Sequence, residues 1–302
     1  MKHFCDLSDL SADAIQLILS KAEGLKQERK EGMFSTALAN KKLAMIFEKT
    51  STRTRVSFEV AMLELGGHTL SFNGSESQLG RGETIADTSR VLSRYVDVIL
   101  LRCHDHHKLL ELAHNATVPV INGLTEFSHP CQVVADILTV NECMGGIQGK
   151  TVAWVGDGNN MAHSWIHAAT LLGFAVRLAC PKALWPLPEV VQWARQRGGD
   201  VTVVEKPSEA VRGANIVTTD TWVSMGDPDA ERQMVQLAGY QVDEALMALA
   251  HKDAIFLHCL PAHRGQEVTA GVIDGPQSRV FDEAENRLHV QKASLLWCLG
   301  HI

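Results

Sequence analysis

Apolar and polar residues follow two alternating patterns along the chain. Near the start, Ile15, Ile18, Leu19, Ala22 and Leu25 recur at the three-and-four spacing of one helix face, and Ser11 is placed to cap that helix. Short apolar runs then follow at 43–47, 68–72, 96–101 and 118–121, each of strand length, and predict buried strands. Between them the spacing becomes helical at 53–65, 83–95 and 107–114. A longer helix is predicted over 130–144, stopped by Gly145-Gly146. The alternation then resumes. Strands are predicted at 151–155, 176–179, 201–204, 216–219 and 255–258, with helices between them, and a last helix over 283–299 begins charged and ends apolar. Strand–helix alternation predicts an α/β chain with parallel sheets and right-handed crossovers. The stretch from Gly145-Gly146 to Gly149 is the best domain boundary.

Composition agrees with this picture and narrows it. A length of 302 residues suits two domains with substantial cores. With 45% apolar and 21% charged residues, disorder, collagen and coiled coil are excluded as whole-chain architectures. Lys plus Arg is 28 and Asp plus Glu is 35, a net charge of −7, which argues against nucleic acid as a partner. No run of 18 apolar residues occurs, so no membrane span is predicted. The first residues lack the basic and apolar regions of a signal peptide. Seven cysteines, odd in number, scattered and without a CxxC pair, suit free thiols in a reducing cytoplasm.

Residues with chemical potential gather where predicted strands end. Ser51-Thr52-Arg53-Thr54-Arg55 follows a strand and opens a helix. A helix N-terminus offers unpaired N–H groups and a positive dipole end, and three hydroxyls with two guanidinium groups strengthen it as an anion site. His129-Pro130-Cys131-Gln132 starts another helix. Proline there is ordinary helix grammar, while His129 and Gln132 are also neutral donors for a carbonyl or phosphate oxygen. Gly156-Asp157-Gly158 resembles the start of a dinucleotide loop. However, Met161 stands at the third glycine position, and the next strand ends Leu178-Ala179-Cys180-Pro181 without a ribose-binding acid. No dinucleotide is predicted, and Asn160 remains a candidate holder of a polar substrate group.

Asp220, at a further strand end, suits a cationic substrate or caps a helix. In His258-Cys259-Leu260-Pro261-Ala262-His263-Arg264-Gly265 a thiol sits between two histidines. It is a nucleophile, a zinc ligand lacking a second spaced pair, or an inert buried thiol. Arg287, taken alone, reads as a surface helix residue. Cys103-His104-Asp105-His106-His107 looks like a metal tract, but its spacing does not put four ligands on one face, and a solvated turn is expected. No metal and no cofactor is predicted.

Taken in order, these segments resemble the aspartate/ornithine carbamoyltransferase family over nearly the whole chain. The 51–55 and 258–265 motifs carry the likeness, together with Gln78-Leu79-Gly80-Arg81-Gly82-Glu83 and Val91-Leu92-Ser93-Arg94-Tyr95. Asp220 followed by Ser224-Met225-Gly226 resembles the family's ornithine branch. The resemblance implies two doubly wound parallel-sheet domains with the active site in the cleft between them. A carbamoyl phosphate-binding domain would cover 1–145 and an ornithine-binding domain 146–284, with a C-terminal helix over 285–302 packing back on the first. It implies transfer of the carbamoyl group of carbamoyl phosphate to the side-chain amine of L-ornithine, giving L-citrulline and phosphate, in arginine-type metabolism in the cytoplasm. By the same resemblance Ser51, Thr52, Arg53 and Thr54 hold the phosphate with Arg102. His129, Gln132, Cys259, Leu260 and Arg287 meet the carbamoyl group. Gln78 reaches in from a neighbouring subunit of a homotrimer. Asn160, Asp220, Ser224 and Met225 hold ornithine, and Cys259, Arg102, His129 and Asp220 carry the catalysis.

Overall fold

The computed structural model describes residues 2–49, 51–74, 82–223 and 230–302. The chain divides into two units, Met1–Leu138 with Glu285–Ile302, and Thr139–Ala284. In the first unit, helix α1 (Ala12–Lys30) starts where Ser11 accepts a hydrogen bond from the Ala14 N–H, and Ile15, Ile18, Leu19, Ala22 and Leu25 form its buried face. Strands β1 (Lys42–Phe47), β2 (His68–Asn73), β3 (Val98–Arg102) and β4 (Val120–Leu124) make a parallel sheet in the order β2-β1-β3-β4. Helices α2 (Thr52–Glu64), α3 (Ile85–Leu92), α4 (His106–Asn115) and α5 (Pro130–Met144) alternate with them. The division between units falls within α5, ahead of the Gly145-Gly146 break.

The second unit repeats the scheme. Strands β5 (Thr151–Val155), β6 (Ala175–Ala179), β7 (Val201–Val204), β8 (Ile216–Thr219) and β9 (Ile255–His258) form a parallel sheet in the order β7-β6-β5-β8-β9. Helices α6 (Asn160–Leu172), α7 (Pro188–Gln196), α8 (Pro207–Val211), α9 (Ala230–Leu237), α10 (Glu244–Met247) and α11 (Ala270–Ile273) connect or flank them. Ala153, Val155, Val217 and Phe256 from the sheet pack with Val268 and Val272 in its core. Among the described residues no helix is long and apolar enough to cross a membrane.

Both sheets are doubly wound, and this positions the chemistry. In the first, the chain passes from β1 to β2 on one side and then returns to lay β3 on the other. In the second, β5 is central, with β6 and β7 on one side and β8 and β9 on the other. Where strand order reverses, the connections leave in opposite directions and open a crevice at the strands' carboxyl ends. In register, Phe47 at the end of β1 lies beside Arg102 at the end of β3.

Two expectations are corrected. Strand β2 is not buried: five of its six residues are exposed, because it is an edge strand with one neighbour. In the last helix, α12 (Val280–Cys298), Arg287 is not the surface residue expected. Glu283, Asn286, Arg287 and Lys292 are all buried, each against a partner. The Glu283 carboxylate accepts from the His258 N–H at 2.9 Å, Asn286 accepts from Lys26 Nζ at 2.7 Å, and Lys292 pairs with Glu64. Packing also explains Gly158 after β5. A Cβ on Gly158 would lie 2.2 Å from the Pro186 nitrogen and 2.5 Å from the Trp185 carbonyl carbon, so the loop needs glycine there with or without a ligand.

Candidate active site

In the first unit the decisive group is the Thr54 hydroxyl, buried in the first turn of α2. Arg102 Nη1 donates to Thr54 Oγ1 at 3.3 Å and Arg287 Nη2 donates to the same oxygen at 2.8 Å. Arg102 also donates to the Gly123 carbonyl at 3.3 Å, and Arg287 Nη1 donates to Gln132 Oε1. A hydroxyl has two acceptor lone pairs and one donor hydrogen. With both lone pairs engaged by guanidinium groups, Thr54 has only its hydrogen left to offer, so it is a donor. Ser51 stands at the N-cap of α2 with extended backbone, and its hydroxyl makes no cap bond. Thr52 and Arg53, in the same first turn, are exposed. The result is two cations, a hydroxyl donor and a helix N-terminus at one strand end, a combination suited to an anion.

His129 and Gln132 border this cluster from the start of α5, and both are buried. Burial first, then the positive charges of Arg287 and Arg102, push the His129 pKa well below the usual imidazole value. His129 is therefore a neutral imidazole with a single N–H to donate. Gln132 departs from expectation. Its Nε2 donates to Asp136 Oδ1 at 2.8 Å, so the end facing Arg287 is the carbonyl oxygen, an acceptor and not a donor. Cys131, between them, is inert: burial pushes its thiol up to about 12.

In the second unit the corresponding centre is Asp220, just after β8. Its Oδ1 accepts from the Cys259 thiol at 3.0 Å and from the Thr221 N–H at 2.7 Å, and its Oδ2 accepts from Asn159 Nδ2 at 3.3 Å. Asn159 is the N-cap of α6, and it is Asn159 whose side chain meets Asp220, with Asn160 next in sequence. Leu260 adopts φ +56°, a left-handed conformation that costs a branched side chain about 1–2 kcal/mol. Its N–H is held by His258 Nδ1 at 2.9 Å. That bond leaves the His258 proton on Nε2, facing Glu267 Oε1 at 3.2 Å. Glu267, fully buried, also accepts from the His263 N–H at 2.5 Å and so fastens both ends of the loop.

Asp220, His258 and Cys259 bring ligand-type atoms within 4.8 Å of one another. Both His258 nitrogens are committed, which leaves two ligands among the described residues, where zinc sites use three or four protein groups. The Cys103–His107 tract is spent locally. Asp105 caps α4, Cys103 donates to the Asp105 carbonyl, His104 meets Glu126 and His106 meets Thr125. Gln78, Ser224 and Met225 lie outside the described residues.

Residues 2–142 match the carbamoyl-P binding domain of the aspartate/ornithine carbamoyltransferases, and residues 148–298 match their Asp/Orn binding domain. The chain belongs to the aspartate/ornithine carbamoyltransferase family. It is 57% identical to an ornithine carbamoyltransferase of Rhodopseudomonas palustris over 302 residues, all of this chain and 97% of that one. It is 55% identical to one from Agrobacterium fabrum, over all of this chain and 99% of that one. Among solved structures, the ornithine carbamoyltransferase from Pyrococcus furiosus superposes with a TM-score of 0.95 at 50% identity, covering 100% of this chain and 98% of that one. The anabolic ornithine carbamoyltransferase of Campylobacter jejuni gives 0.93 at 41%, covering all of both chains.

For this carbamoyltransferase, sequence reasoning missed Asp136, Asn159 and Glu267, the residues that hold Gln132, Asp220 and the 258–263 loop. The signal available for Asp136 was its helical i,i+4 spacing from Gln132.

The buried neutral histidine has a measurable consequence. Its folded pKa lies below the unfolded value of about 6.5. Below pH 6.5 the unfolded chain binds a proton that the folded chain refuses, so stability is full above that pH and falls as the pH drops. In denaturant titrations of the ligand-free protein, stability should fall more steeply from pH 6.5 to 5 than in His129→Asn, by up to about 1.4 kcal/mol per pH unit. Parallel curves for the two proteins would contradict a buried neutral His129.

Proposed function

We propose that this carbamoyltransferase moves the carbamoyl group of carbamoyl phosphate onto the side-chain amine of L-ornithine, releasing L-citrulline and phosphate. The observation that carries the reading is the meeting of Arg102 and Arg287 at Thr54 beside the N-terminus of α2. A phosphate dianion suits two guanidinium groups and a helix N-terminus. Ser51, Thr52, Arg53 and Thr54 take the phosphate oxygens with Arg102. His129 donates its one N–H to the carbamoyl oxygen, and Arg287, Gln132, Cys259 and Leu260 complete the carbamoyl contacts. The amine nitrogen attacks the carbamoyl carbon, the carbon–oxygen bond to phosphate breaks, and phosphate leaves with the bonding electrons and ends with the proton that the attacking amine loses. Charge building on the carbonyl and leaving-group oxygens is met by donors already in place, the usual largest source of rate enhancement.

The second substrate is ornithine and not aspartate. An ornithine carries a side-chain amine, whose pKa is about 10 in water, so it arrives as a cation and must react neutral. Asp220 beside the Cys259 thiol suits that group, whereas aspartate would bring a second carboxylate towards an acidic residue. Asn160, Ser224 and Met225 complete the ornithine contacts. The test is a product assay with carbamoyl phosphate and either amino acid. Citrulline should form, and N-carbamoylaspartate should form at least a hundredfold more slowly, since an unpaired buried charge costs about 3–5 kcal/mol. Comparable rates with aspartate would overturn the ornithine reading.

The enzyme acts as a homotrimer in which Gln78 completes a neighbour's site, within arginine biosynthesis in the cytoplasm. Support for assembly comes from the edge of the first sheet, where, among the described residues, Leu70 and Phe72 on β2 and Val56 and Leu63 on α2 are exposed. Support for the compartment comes from the odd, scattered cysteines. Refolding Gln78→Glu together with Cys259→Ala should restore activity to about a quarter of sites at equal mixing. If the mixture of folded, inactive trimers stays inactive, Gln78 serves its own subunit.

A further inference from the structure

Gln132 lies between two groups of opposite hydrogen-bonding character. One turn further along α5, Asp136 accepts from Gln132 Nε2 at 2.8 Å, and on the other side Arg287 Nη1 donates to Gln132 Oε1. All three side chains are buried, with relative exposures of 0% for Gln132, 1% for Asp136 and 4% for Arg287. A carboxylate only accepts and a guanidinium only donates, so an amide held between them has one orientation that satisfies both. Turned over, its NH2 would face the guanidinium and its carbonyl the carboxylate. In a buried place that leaves donor against donor and acceptor against acceptor.

From this we infer that Asp136 is a positioning residue that sets the polarity of the carbamoyl pocket. By fixing the Gln132 amide, it makes the pocket present a carbonyl oxygen, an acceptor, beside Arg287. The inference rests on the reading of carbamoyl phosphate as the first unit's ligand. Carbamoyl phosphate and acetyl phosphate share the phosphate, the carbonyl and the overall shape. They differ in that one carries an –NH2, two donors, where the other carries a methyl group. A fixed acceptor recognises the first and gains nothing from the second, so Asp136 governs discrimination between them without touching either.

The experiment is calorimetric titration of the full-length enzyme with carbamoyl phosphate and, separately, acetyl phosphate. Four proteins are compared: native, Asp136→Asn, Gln132→Leu and the double variant. Asparagine fits the same space but can accept or donate, which removes the carboxylate's half of the constraint and leaves Arg287 alone to hold the amide. In Asp136→Asn, carbamoyl phosphate affinity should fall about tenfold or more, while acetyl phosphate affinity stays within about twofold. In the Gln132→Leu background the same change should cost carbamoyl phosphate less than about twofold, because the group it acts through is gone. If Asp136→Asn is poorly folded, Asp136→Ser, whose hydroxyl also serves as donor or acceptor, is read in the same way. Equal losses for both ligands would make Asp136 a general structural residue and overturn the inference. So would unchanged carbamoyl phosphate affinity, or a loss that persists in full without Gln132. A native enzyme that binds neither ligand would overturn the carbamoyl phosphate reading itself, whatever the variants do.

Discussion

The first unit is organised around two guanidinium groups that converge on one hydroxyl oxygen. Arg102 comes from the end of β3 and Arg287 from α12, and they meet at Thr54 Oγ1. Two like charges held close together repel by on the order of a few kcal/mol in a partly buried setting. The arrangement persists because each guanidinium also donates to a fixed acceptor, the Gly123 carbonyl for Arg102 and the Gln132 carbonyl for Arg287. Held this way, the two guanidinium groups place positive charge beside the N-terminus of α2, where an incoming anion is favoured. The same charge, added to burial, keeps His129 neutral. Much of the site's chemistry follows from that single point of convergence.

The folds supply the convergence by one repeated device. Each sheet reverses its strand order beside its first strand, β1 in one unit and β5 in the other. The segments after β1, β3 and β4 therefore carry Ser51–Thr54, Arg102 and His129 to one end of one sheet. Those after β5, β8 and β9 carry Asn159, Asp220 and Cys259 to one end of the other. Helix α12 adds what the strands cannot. Its buried Asn286, Arg287 and Lys292 side chains are matched by Lys26, Glu64, Thr54 and Gln132, and this holds Arg287 in a position no strand end could supply.

Most of this architecture was legible in the sequence. The strands of the second sheet follow apolar runs whose bounds agree closely with the structure, and Ser11, Pro130 and Gly145 punctuate helices where helix grammar puts them. The residues at strand ends were legible for the same reason, since doubly wound sheets place ligands there. What the sequence hid was orientation and burial. Arg287 sits in a charged stretch that looks solvated, and only tertiary partners reveal that it is buried. Gln132 offers both a donor and an acceptor, and nothing local says which end faces inward until Asp136 and Arg287 are seen on either side. Strand β2 has an apolar pattern but lies at an edge, a fact that belongs to sheet order and not to the segment.

The central claim is that Thr54 gathers two cations into a site for the phosphate-bearing substrate. Thr54→Val keeps the shape of the side chain and removes the shared oxygen. The direct measurement is calorimetric carbamoyl phosphate affinity in the native and Thr54→Val proteins, both verified as folded by circular dichroism. The account predicts a loss of at least about tenfold, from the missing charge-assisted and donor contacts. Native affinity in folded Thr54→Val would contradict it.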